Sequence, residues 1–309
     1  MRTAAKRSVA KHPSFIKKAT LPFCMATVAL LGVPLIMYKD SDFRLQTCAH
    51  GATAKPRKDL ERMLSEANPE LTIVDLGELT GEIATRPSES DCLKLGLEVV
   101  KMVSESSTDI VLAIGGDHAA AFPFYSLPGQ VVRADAHGDA YVQGSPLSSW
   151  QITGATYMAF VDSLRLKKPH QIWNVGVNTL MLQQEYYAKD GVIGALVDVP
   201  QMLRRPPLRV SLLDVDLDVL SQDYRLPHGH STSNLKAEDL ASLVTKLQPK
   251  VVGLFECVGW NGAIPQNIVS GYPTVFGPIC KAVAEAAVAR SRANGANLQS
   301  LPVSSGTYR

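Results

Sequence analysis

Residues 131–141 read VVRADAHGDAY, and this stretch decides how the rest of the chain is interpreted. Two valines favour a β-strand, and three possible metal ligands follow at alternate positions: Asp135, His137 and Asp139. Because alternate side chains of an extended backbone share one face, these groups can converge beyond the end of a buried strand. Carboxylate and imidazole groups without a thiolate favour Mn²⁺, Fe²⁺ or Zn²⁺ over a structural cysteine-type zinc site. Taken alone, the pattern fits a metal site and a polar turn about equally well.

Composition limits the classes of partner. The chain has 309 residues, of which 46% are hydrophobic, so it can bury a large core. Its 31 basic and 29 acidic residues give a net charge of +2, which provides no general reason to expect a nucleic-acid partner. The five cysteines are scattered and form no CxxC pair, which fits a reducing compartment. We therefore expect a cytoplasmic protein without nucleic-acid or membrane partners.

The N-terminal region allows two interpretations. Residues 1–20 are rich in lysine and arginine and contain no acidic residue, as in a signal peptide or a mitochondrial transit peptide. The apolar run that follows, residues 21–37, is short and interrupted by two prolines, so it does not predict a membrane span. Its middle, Thr27–Val33, predicts a buried first strand at an edge of the sheet. We predict a flexible basic arm over residues 1–20 and one α/β domain over residues 21–309, with mitochondrial targeting as the alternative.

Apolar runs of strand length alternate with segments of helical periodicity along almost the whole chain. The predicted strands are Thr27–Val33, Leu71–Leu76, Ile110–Ile114, Val131–Ala134, Gln171–Val177, Ile193–Val197, Leu208–Leu213 and Val251–Phe255. The predicted helices are Lys55–Ala67, Asp91–Glu105, Met181–Lys189, Ala237–Leu247 and Val275–Ala293. This alternation predicts an α/β fold in which helices cover both faces of a mainly parallel sheet.

Acidic and histidine side chains follow the carboxyl ends of four predicted strands. In chain order they are His118, the group Asp135, His137 and Asp139, the pair Asp216 and Asp218, and Glu256. Ligands of open α/β sheets bind at this edge. Four ionised aspartates gathered there would protonate or turn to water unless a cation compensated them. Two divalent ions would balance the four charges and could hold a hydroxide between them as a nucleophile.

Three motifs resemble those of the arginase, agmatinase and formiminoglutamase family, the ureohydrolases, in order, spacing and position at strand ends. They are GGDH at residues 115–118, DAHGD at residues 135–139 and DxD at residues 216–218. The resemblance covers nearly the whole chain and is strongest at these motifs. It implies a three-layer α/β/α sandwich, two Mn²⁺ per chain, and a homotrimer or a hexamer.

The resemblance also implies a role for each candidate ligand. One ion would be bound by His118 and Asp139, the other by His137 and Asp218, and both would be bridged by Asp135 and Asp216. Glu256 would anchor the planar nitrogen group of the substrate. A second DxD pair, formed by Asp214 and Asp216, is possible. We prefer the later pair because Leu220 and Tyr224 then match apolar positions of the family.

The loops depart from the arginase pattern. Thr153 stands where arginases have a proton-transferring histidine, and Tyr141 where they have an asparagine that binds the substrate carboxylate. The acidic motif expected after the fifth strand is replaced by GVNT at residues 176–179, so we expect no useful hydrolysis of arginine. The run from Thr153 to Tyr157 is instead similar to formiminoglutamases. The candidate catalytic residues are Asp139, Thr153 and Glu256, and the candidate substrate-binding residues are Tyr141, Ser149, Trp150, Asn178 and Glu256.

Two hypotheses for function follow. The first is a manganese-dependent hydrolase of a C–N bond in a small amidine or guanidine compound, nearest to formiminoglutamase, with the bridging hydroxide as nucleophile. The second is an arginase-like protein that has kept the fold and metal but has lost catalysis, and that serves a binding or regulatory role. The altered loop at residues 150–153 and the additional Asp214 favour the second hypothesis.

Overall fold

Eight strands in the described part of the chain form one sheet in which every neighbouring pair is parallel. The computed structural model describes residues 25–34, 38–39, 45–46, 53–79, 89–140, 152, 154–178, 192–207, 209–221, 235–257 and 266–299. Together with the helices on both faces, this sheet confirms the predicted three-layer α/β/α fold.

The elements are numbered in chain order. The strands are β1 Thr27–Val33, β2 Tyr38–Lys39, β3 Leu45–Gln46, β4 Thr72–Glu78, β5 Ile110–Gly115, β6 Gln130–Ala134, β7 Ile172–Val175, β8 Ala195–Val197, β9 Val210–Asp216 and β10 Val251–Phe255. The α-helices are α1 Ala54–Ala67, α2 Glu89–Glu105, α3 Tyr157–Ser163, α4 Val199–Arg204, α5 Ala237–Leu247 and α6 Gln266–Gln299. Short 3₁₀ helices cover His118–Ser126, Pro169–Gln171 and Leu217–Val219. The order in the main sheet is β4-β1-β5-β10-β9-β6-β7-β8, and β2 and β3 pair separately.

The central strands are buried on both faces, which explains their nearly continuous apolar sequences. Alternate residues of β1 enter two different cores: Val28 and Leu30 enter the first, and Ala29 and Leu31 the second. Helices α1, α4, α5 and α6 cover the first core, whereas α2, α3 and the 3₁₀ helix from His118 cover the second. The period of two along a strand therefore divides one sheet between two helical layers.

The structure differs from the sequence predictions in several places. Strand β1 lies between β4 and β5, so β4 forms the edge expected for β1. The sequence predicts an end of β9 at Leu213, but the strand continues to Asp216 and carries two aspartates. Helices α3 and α4 and the 3₁₀ helices are additional to the predicted elements. The predicted helix Met181–Lys189 lies outside the described residues.

None of the helices in the described part of the chain is both long and apolar enough to cross a membrane.

Candidate metal centre

The four strands that carry the candidate ligands are consecutive neighbours in the sheet, in the order β5-β10-β9-β6. His118 follows β5, Glu256 follows β10, Asp216 ends β9 and Asp135 follows β6. Because the strands are parallel, their carboxyl ends meet at one edge, where ligands of such sheets bind. Residues separated by more than one hundred positions are thereby brought to the same place.

Local backbone features direct these side chains. Asp117 caps the 3₁₀ helix that begins at His118, and its carboxylate accepts a hydrogen bond of 3.0 Å from the backbone N–H of Ala119. Asp139 and Glu256 adopt left-handed backbone conformations, with φ of 49° and 58°. Such conformations cost non-glycine residues roughly 1–3 kcal/mol and are concentrated at functional sites. At these two positions they turn the chain at the strand ends that carry the ligands.

The first ligand group contains His118, Asp135, Asp139 and Asp216, all of which are buried. Nδ1 of His118 lies 2.9 Å from Oδ2 of Asp135, 2.8 Å from Oδ2 of Asp139 and 3.0 Å from Oδ2 of Asp216. The four possible ligand atoms all lie within 4.8 Å of one another. Three carboxylates thus surround one imidazole nitrogen.

The second ligand group contains Asp135, His137 and Asp218. Nδ1 of His137 lies 2.8 Å from Oδ2 of Asp218 and 3.6 Å from Oδ1 of Asp135. Asp135 therefore belongs to both groups and presents a different oxygen to each histidine. The His137 side chain is 15% exposed and that of His118 only 1%, so the second group lies nearer to solvent.

The first group has the features of a metal site. Among the described residues, Nδ1 of His118 is buried and has no partner with hydrogen-bond geometry, although three carboxylate oxygens lie close to it. A buried polar atom of this kind calls for an explanation. Ligands about 2.1 Å from an octahedral ion lie about 3.0 Å apart, which matches the three separations at His118. The donor set of imidazole and carboxylate therefore fits a divalent ion such as Mn²⁺.

Asp216 lies in the first group, and its bridging role remains a prediction. Its Oδ2 atom faces Nδ1 of His118, whereas Oδ1 accepts a hydrogen bond of 2.9 Å from the backbone N–H of Asp218. Asp135 has the same arrangement, since its Oδ1 accepts a hydrogen bond of 2.6 Å from the backbone N–H of His137, and that oxygen also lies 3.6 Å from Nδ1 of His137. Asp214 is the other member of the possible DxD pair. It lies beside Nε2 of His118, whereas the three carboxylates of the first group lie beside Nδ1.

A buried arginine lies directly beneath the ligands. The Arg133 side chain is fully buried on β6, and its Nη2 donates to Oδ2 of Asp135 and, at 2.6 Å, to Oδ2 of Asp139. Its Nε donates to the hydroxyl oxygen of Tyr157 at 2.9 Å, and its Nη1 to the carbonyl oxygen of His137 at 2.9 Å. The guanidinium group is therefore bound to two of the four candidate ligands of the first group.

A second network supports the other nitrogen of His118. Nε2 lies 3.0 Å from Oδ1 of Asp214 and 3.1 Å from the hydroxyl group of Tyr157. The hydroxyls of Tyr157 and Tyr125 donate to Oδ2 of Asp214 at 3.1 and 2.7 Å. A carboxylate on the outer nitrogen of a histidine fixes the ring and directs the inner nitrogen toward a metal. Asp214 thus supports His118 and does not enter either ligand group.

The pKa values show how strongly the carboxylates depend on cations. Burial raises the pKa of Asp139 and that of Asp216 to about 6 in each case. Burial also acts to raise the pKa of Asp135, but Arg133 and His118 hold it well below its ordinary value. The charge on Asp135 is thus maintained by the cation beside it.

The histidines respond in the opposite direction. Burial acts to lower the pKa of His118, but Tyr157 and Asp214 raise it well above its ordinary value. Burial likewise opposes the charged form of His137, but hydrogen bonds to two aspartates raise its pKa to about 12. Both imidazoles therefore lie where positive charge is strongly favoured, and a metal ion would displace their protons on binding.

Glu256 lies beside the first group. Its Oε1 accepts a hydrogen bond of 3.1 Å from the backbone N–H of His118. A Cβ atom at Gly154 would lie 3.8 Å from the same oxygen, which places the loop that precedes α3 against the carboxyl group. Burial, Asp216 and Asp117 raise the pKa of Glu256 well above its ordinary value.

One of the other predicted site residues, Asn178, is among the described residues. Tyr141, Ser149, Trp150 and Thr153 lie outside the described residues. Asn178 is described and is half-buried, and its backbone N–H donates to the carbonyl oxygen of Ala136 at 3.0 Å. It lines an open cavity of about 690 Å³ beside β7 and β8, and none of the candidate metal ligands is among the described residues that line this cavity. Its role in substrate binding remains a prediction.

The sequence predictions missed Arg133 and Tyr157. A signal for Arg133 was present, because it stands two positions before Asp135 and alternate residues of a strand share a face. Tyr157 gives no such signal, since its contact with Arg133 depends on the way α3 packs against the sheet edge.

Comparisons with known proteins support the fold. The profile of the Arginase family matches residues 26–202. No curated protein sequence matches the chain significantly. Proclavaminate amidino hydrolase from Streptomyces clavuligerus is 16% identical, with a TM-score of 0.57, and the alignment covers 88% of this chain and 98% of that one.

Two further solved structures are similar. Formimidoylglutamase from Bacillus subtilis is 15% identical, with a TM-score of 0.54 and coverage of 94% of this chain and 96% of that one. Trypanosoma cruzi formiminoglutamase, solved with Mn²⁺, is 16% identical, with a TM-score of 0.58 and coverage of 84% and 94%. At these identities the structural matches show the fold alone. The family profile spans more than half of the 309 residues, and the chain therefore belongs to the arginase family.

Proposed function

We propose that this chain is a Mn²⁺-dependent hydrolase that cleaves a C–N bond of a linear amidine or guanidine compound, nearest in kind to formiminoglutamase. The observation that carries the proposal is the pair of ligand groups joined by Asp135 at the sheet edge, beside Glu256. Membership of the arginase family supports hydrolysis of a C–N bond. The Mn²⁺ present in the Trypanosoma cruzi relative supports manganese, with two ions per chain.

The chain's own side chains would hold the ions in two positions. The first position would use His118 and Asp139, and the second His137 and Asp218, while Asp135 and Asp216 would serve both positions. When bound, the ions would act as Lewis acids and lower the pKa of water, so that a nucleophile is available near neutral pH. Asp214 would keep the His118 ring oriented toward the first position.

Glu256 would bind the planar nitrogen group of the substrate. Burial, Asp216 and Asp117 hold the pKa of its carboxyl group well above the ordinary value, so the ionised form lacks a compensating cation. A cationic amidinium placed against it would favour the ionised form, because an opposite charge lowers the pKa of an acid. The resulting ion pair would orient the reacting carbon.

A substrate screen tests this proposal. The purified full chain would be assayed with formiminoglutamate, agmatine, guanidinobutyrate and arginine, with and without added Mn²⁺. We expect Mn²⁺-dependent hydrolysis of a formimino or guanidino compound other than arginine. Glu256→Gln should lower kcat/KM by about 100-fold or more, because the charged anchor of the substrate is lost. Glu98→Gln, the same change at an exposed position of α2, is the matched control.

A catalytically silent protein is the second candidate function. The ion pair between Arg133 and two ligand carboxylates favours it, because an arginine there competes with metal for the same oxygens. In that case Mn²⁺ would raise the thermal stability of the chain, but no compound in the screen would be hydrolysed. Hydrolysis of arginine at ordinary enzyme rates would contradict the formiminoglutamase-like assignment.

We further propose a homotrimer or a hexamer that acts on a small molecule in the cytoplasm. Family resemblance supports the oligomer, and the scattered cysteines support a reducing compartment. Light scattering at micromolar concentration would test the assembly, and the mass of a monomer would contradict it.

A further inference from the structure

Arg133 places a positive charge of the protein itself at one of the two ligand groups. Its Nη2 contacts Oδ2 of Asp135 and Oδ2 of Asp139. These are the same two atoms that lie 2.9 and 2.8 Å from Nδ1 of His118. An ion in the first group would therefore share both oxygens with a guanidinium group that cannot lose its charge.

The arginine contacts the second group differently. Within the described residues, no lysine or arginine nitrogen lies within ion-pair distance of Asp218. The Asp135 oxygen nearest to His137 is Oδ1, whereas Arg133 contacts Oδ2. Arg133 reaches this side only through the carbonyl oxygen of His137. The positive charge therefore acts mainly on the first group.

The charge that offsets Arg133 lies on the far side of the His118 ring from the other ligands of the first group. Asp214 and Arg133 are partners in the register of β9 and β6, so they add one negative and one positive charge to the same part of the sheet. However, the Asp214 oxygens face Nε2 of His118 and the hydroxyls of Tyr125 and Tyr157. The two charges cancel in sum, but Arg133 is in direct contact with Asp135 and Asp139, so its repulsion acts mainly on an ion in the first group.

We infer that Arg133 makes the two metal positions unequal, so that the first divalent ion binds at Asp135, His137 and Asp218 and a second binds at the His118 group only at much higher concentration. This inference rests on the proposed function, because it presupposes a metal centre. Juxtaposed like charges in a buried site weaken binding strongly, and we expect the second ion to bind about 100-fold more weakly than the first. Arg133 is thus a positioning residue that sets metal occupancy.

A Mn²⁺ titration of the full chain tests the inference. Calorimetry would give the number of binding steps, and electron paramagnetic resonance would distinguish isolated Mn²⁺ from exchange-coupled pairs. For the unmodified chain we expect isolated Mn²⁺ up to one equivalent and a separate, weaker second step. Arg133→Met keeps the length of the side chain and removes its charge. In this variant we expect the two steps to merge and coupled pairs to form from the first additions.

Arg57→Met is the matched control. Arg57 is also buried and ion-paired, but with Asp75 and Glu78, which belong to neither ligand group. We expect its two binding steps to equal those of the unmodified chain. Arg133→Met combined with Asp214→Asn removes one charge of each sign, and we expect the merged steps to persist because the local repulsion is gone.

The outcomes separate the inference from the proposed function. Two ions that bind the unmodified chain in one step, with coupled pairs at the first additions, would overturn the inference while supporting a metal hydrolase. Unequal steps that persist in Arg133→Met would also overturn it. Absence of Mn²⁺ binding in every variant would overturn the metal centre itself. If Arg133→Met does not fold, the titration of the unmodified chain still decides between equal and unequal steps.

Discussion

Two buried cations in this chain have opposite surroundings. Arg133 is fully buried among carboxylates, and although burial opposes its charge, Asp135 helps to raise its pKa. Lys167 is 5% exposed and donates to the carbonyl oxygen of Leu127, and burial lowers its pKa to about 8. The difference shows that carboxylates at the carboxyl edge of the sheet stabilise a buried positive charge. Around Lys167, burial destabilises the charged form.

The largest effect is expected where the partner of Arg133 is removed. Asp135→Ala takes one ligand from each metal group and leaves the buried arginine with Asp139 as its remaining carboxylate partner. We expect Mn²⁺ affinity to fall more than about 100-fold at both positions. The free energy of unfolding should fall by about 4 kcal/mol, since breaking a buried ion pair has that cost. Calorimetric titration and urea denaturation measure the two effects.

Asp75→Ala serves as the control for this change. It removes a partner of the buried Arg57, but the Asp75 side chain is 46% exposed, so the pair is screened by solvent. We expect unchanged Mn²⁺ affinity. A loss of Mn²⁺ binding at only one position in Asp135→Ala would show that Asp135 is not shared by the two groups.

Removal of the arginine itself should have the next largest effect. In the metal-free chain, Arg133→Met leaves Asp135 and Asp139 facing each other without their cation. We expect the free energy of unfolding to fall by about 3 kcal/mol, and Mn²⁺ to restore it because the ion binds only the folded state. Urea denaturation with chelator and with Mn²⁺ measures this. If metal-free Arg133→Met is as stable as the metal-free unmodified chain, the carboxylates do not depend on Arg133. The two buried cations would then not differ as described.

Lys167 should make the free energy of unfolding depend on pH. Its pKa falls from 10.5 to about 8 on folding, so between these values the unfolded chain binds a proton that the folded chain does not. Stability therefore rises with pH across this window, and from pH 7 to 9.5 this group should add about 2 kcal/mol. Lys167→Met should lack this increment, which urea denaturation at both pH values measures. An equal pH response in the two proteins would show that Lys167 retains its ordinary pKa.

The smallest effect is expected at the tyrosine that joins Arg133 to Asp214. Tyr157→Phe removes a hydroxyl that accepts from Arg133 and donates to Asp214, and we expect a loss of about 1 kcal/mol of stability. Tyr125→Phe is the control, because the Tyr125 hydroxyl donates to Asp214, whereas the hydrogen bond from Arg133 goes to Tyr157. Only Tyr157→Phe should change the separation of the two Mn²⁺ binding steps. If both variants change the separation of the two Mn²⁺ binding steps equally, Tyr157 has no role in orienting Arg133.

Much of the fold could be predicted because buried parallel strands have continuous apolar sequences. Each of the eight predicted strands overlaps one strand of the main sheet, and helix α5 has the predicted bounds. The end of β9 was misplaced, since aspartates are uncommon in strand interiors and their burial here depends on His118 and its neighbours. The position of β1 inside the sheet could not be predicted, because strand order depends on how helices cross over.

The candidate site was predictable only where its residues are close in sequence or carry a motif. The structure brings the six predicted metal ligands together, and the motifs around them were the reason for choosing them. The contact between His118 and Asp214 joins residues 96 positions apart, and no local pattern indicates it. Arg133 was overlooked because a charged residue within an apolar strand has no obvious role until its partners are known.

The position of β10 has a consequence for how the protein is made. Of the strands in the described residues it comes last in sequence, but it lies between β5 and β9, in the middle of the sheet. During synthesis, the sheet segment β4-β1-β5 and the segment β9-β6-β7-β8 remain separate until residues 251–255 have left the ribosome. His118 and Asp216, which lie on opposite sides of that gap, cannot meet before then. Metal capture by the first group would therefore depend on the insertion of β10, and any truncation before β10 would leave two unpaired sheet edges exposed to aggregation.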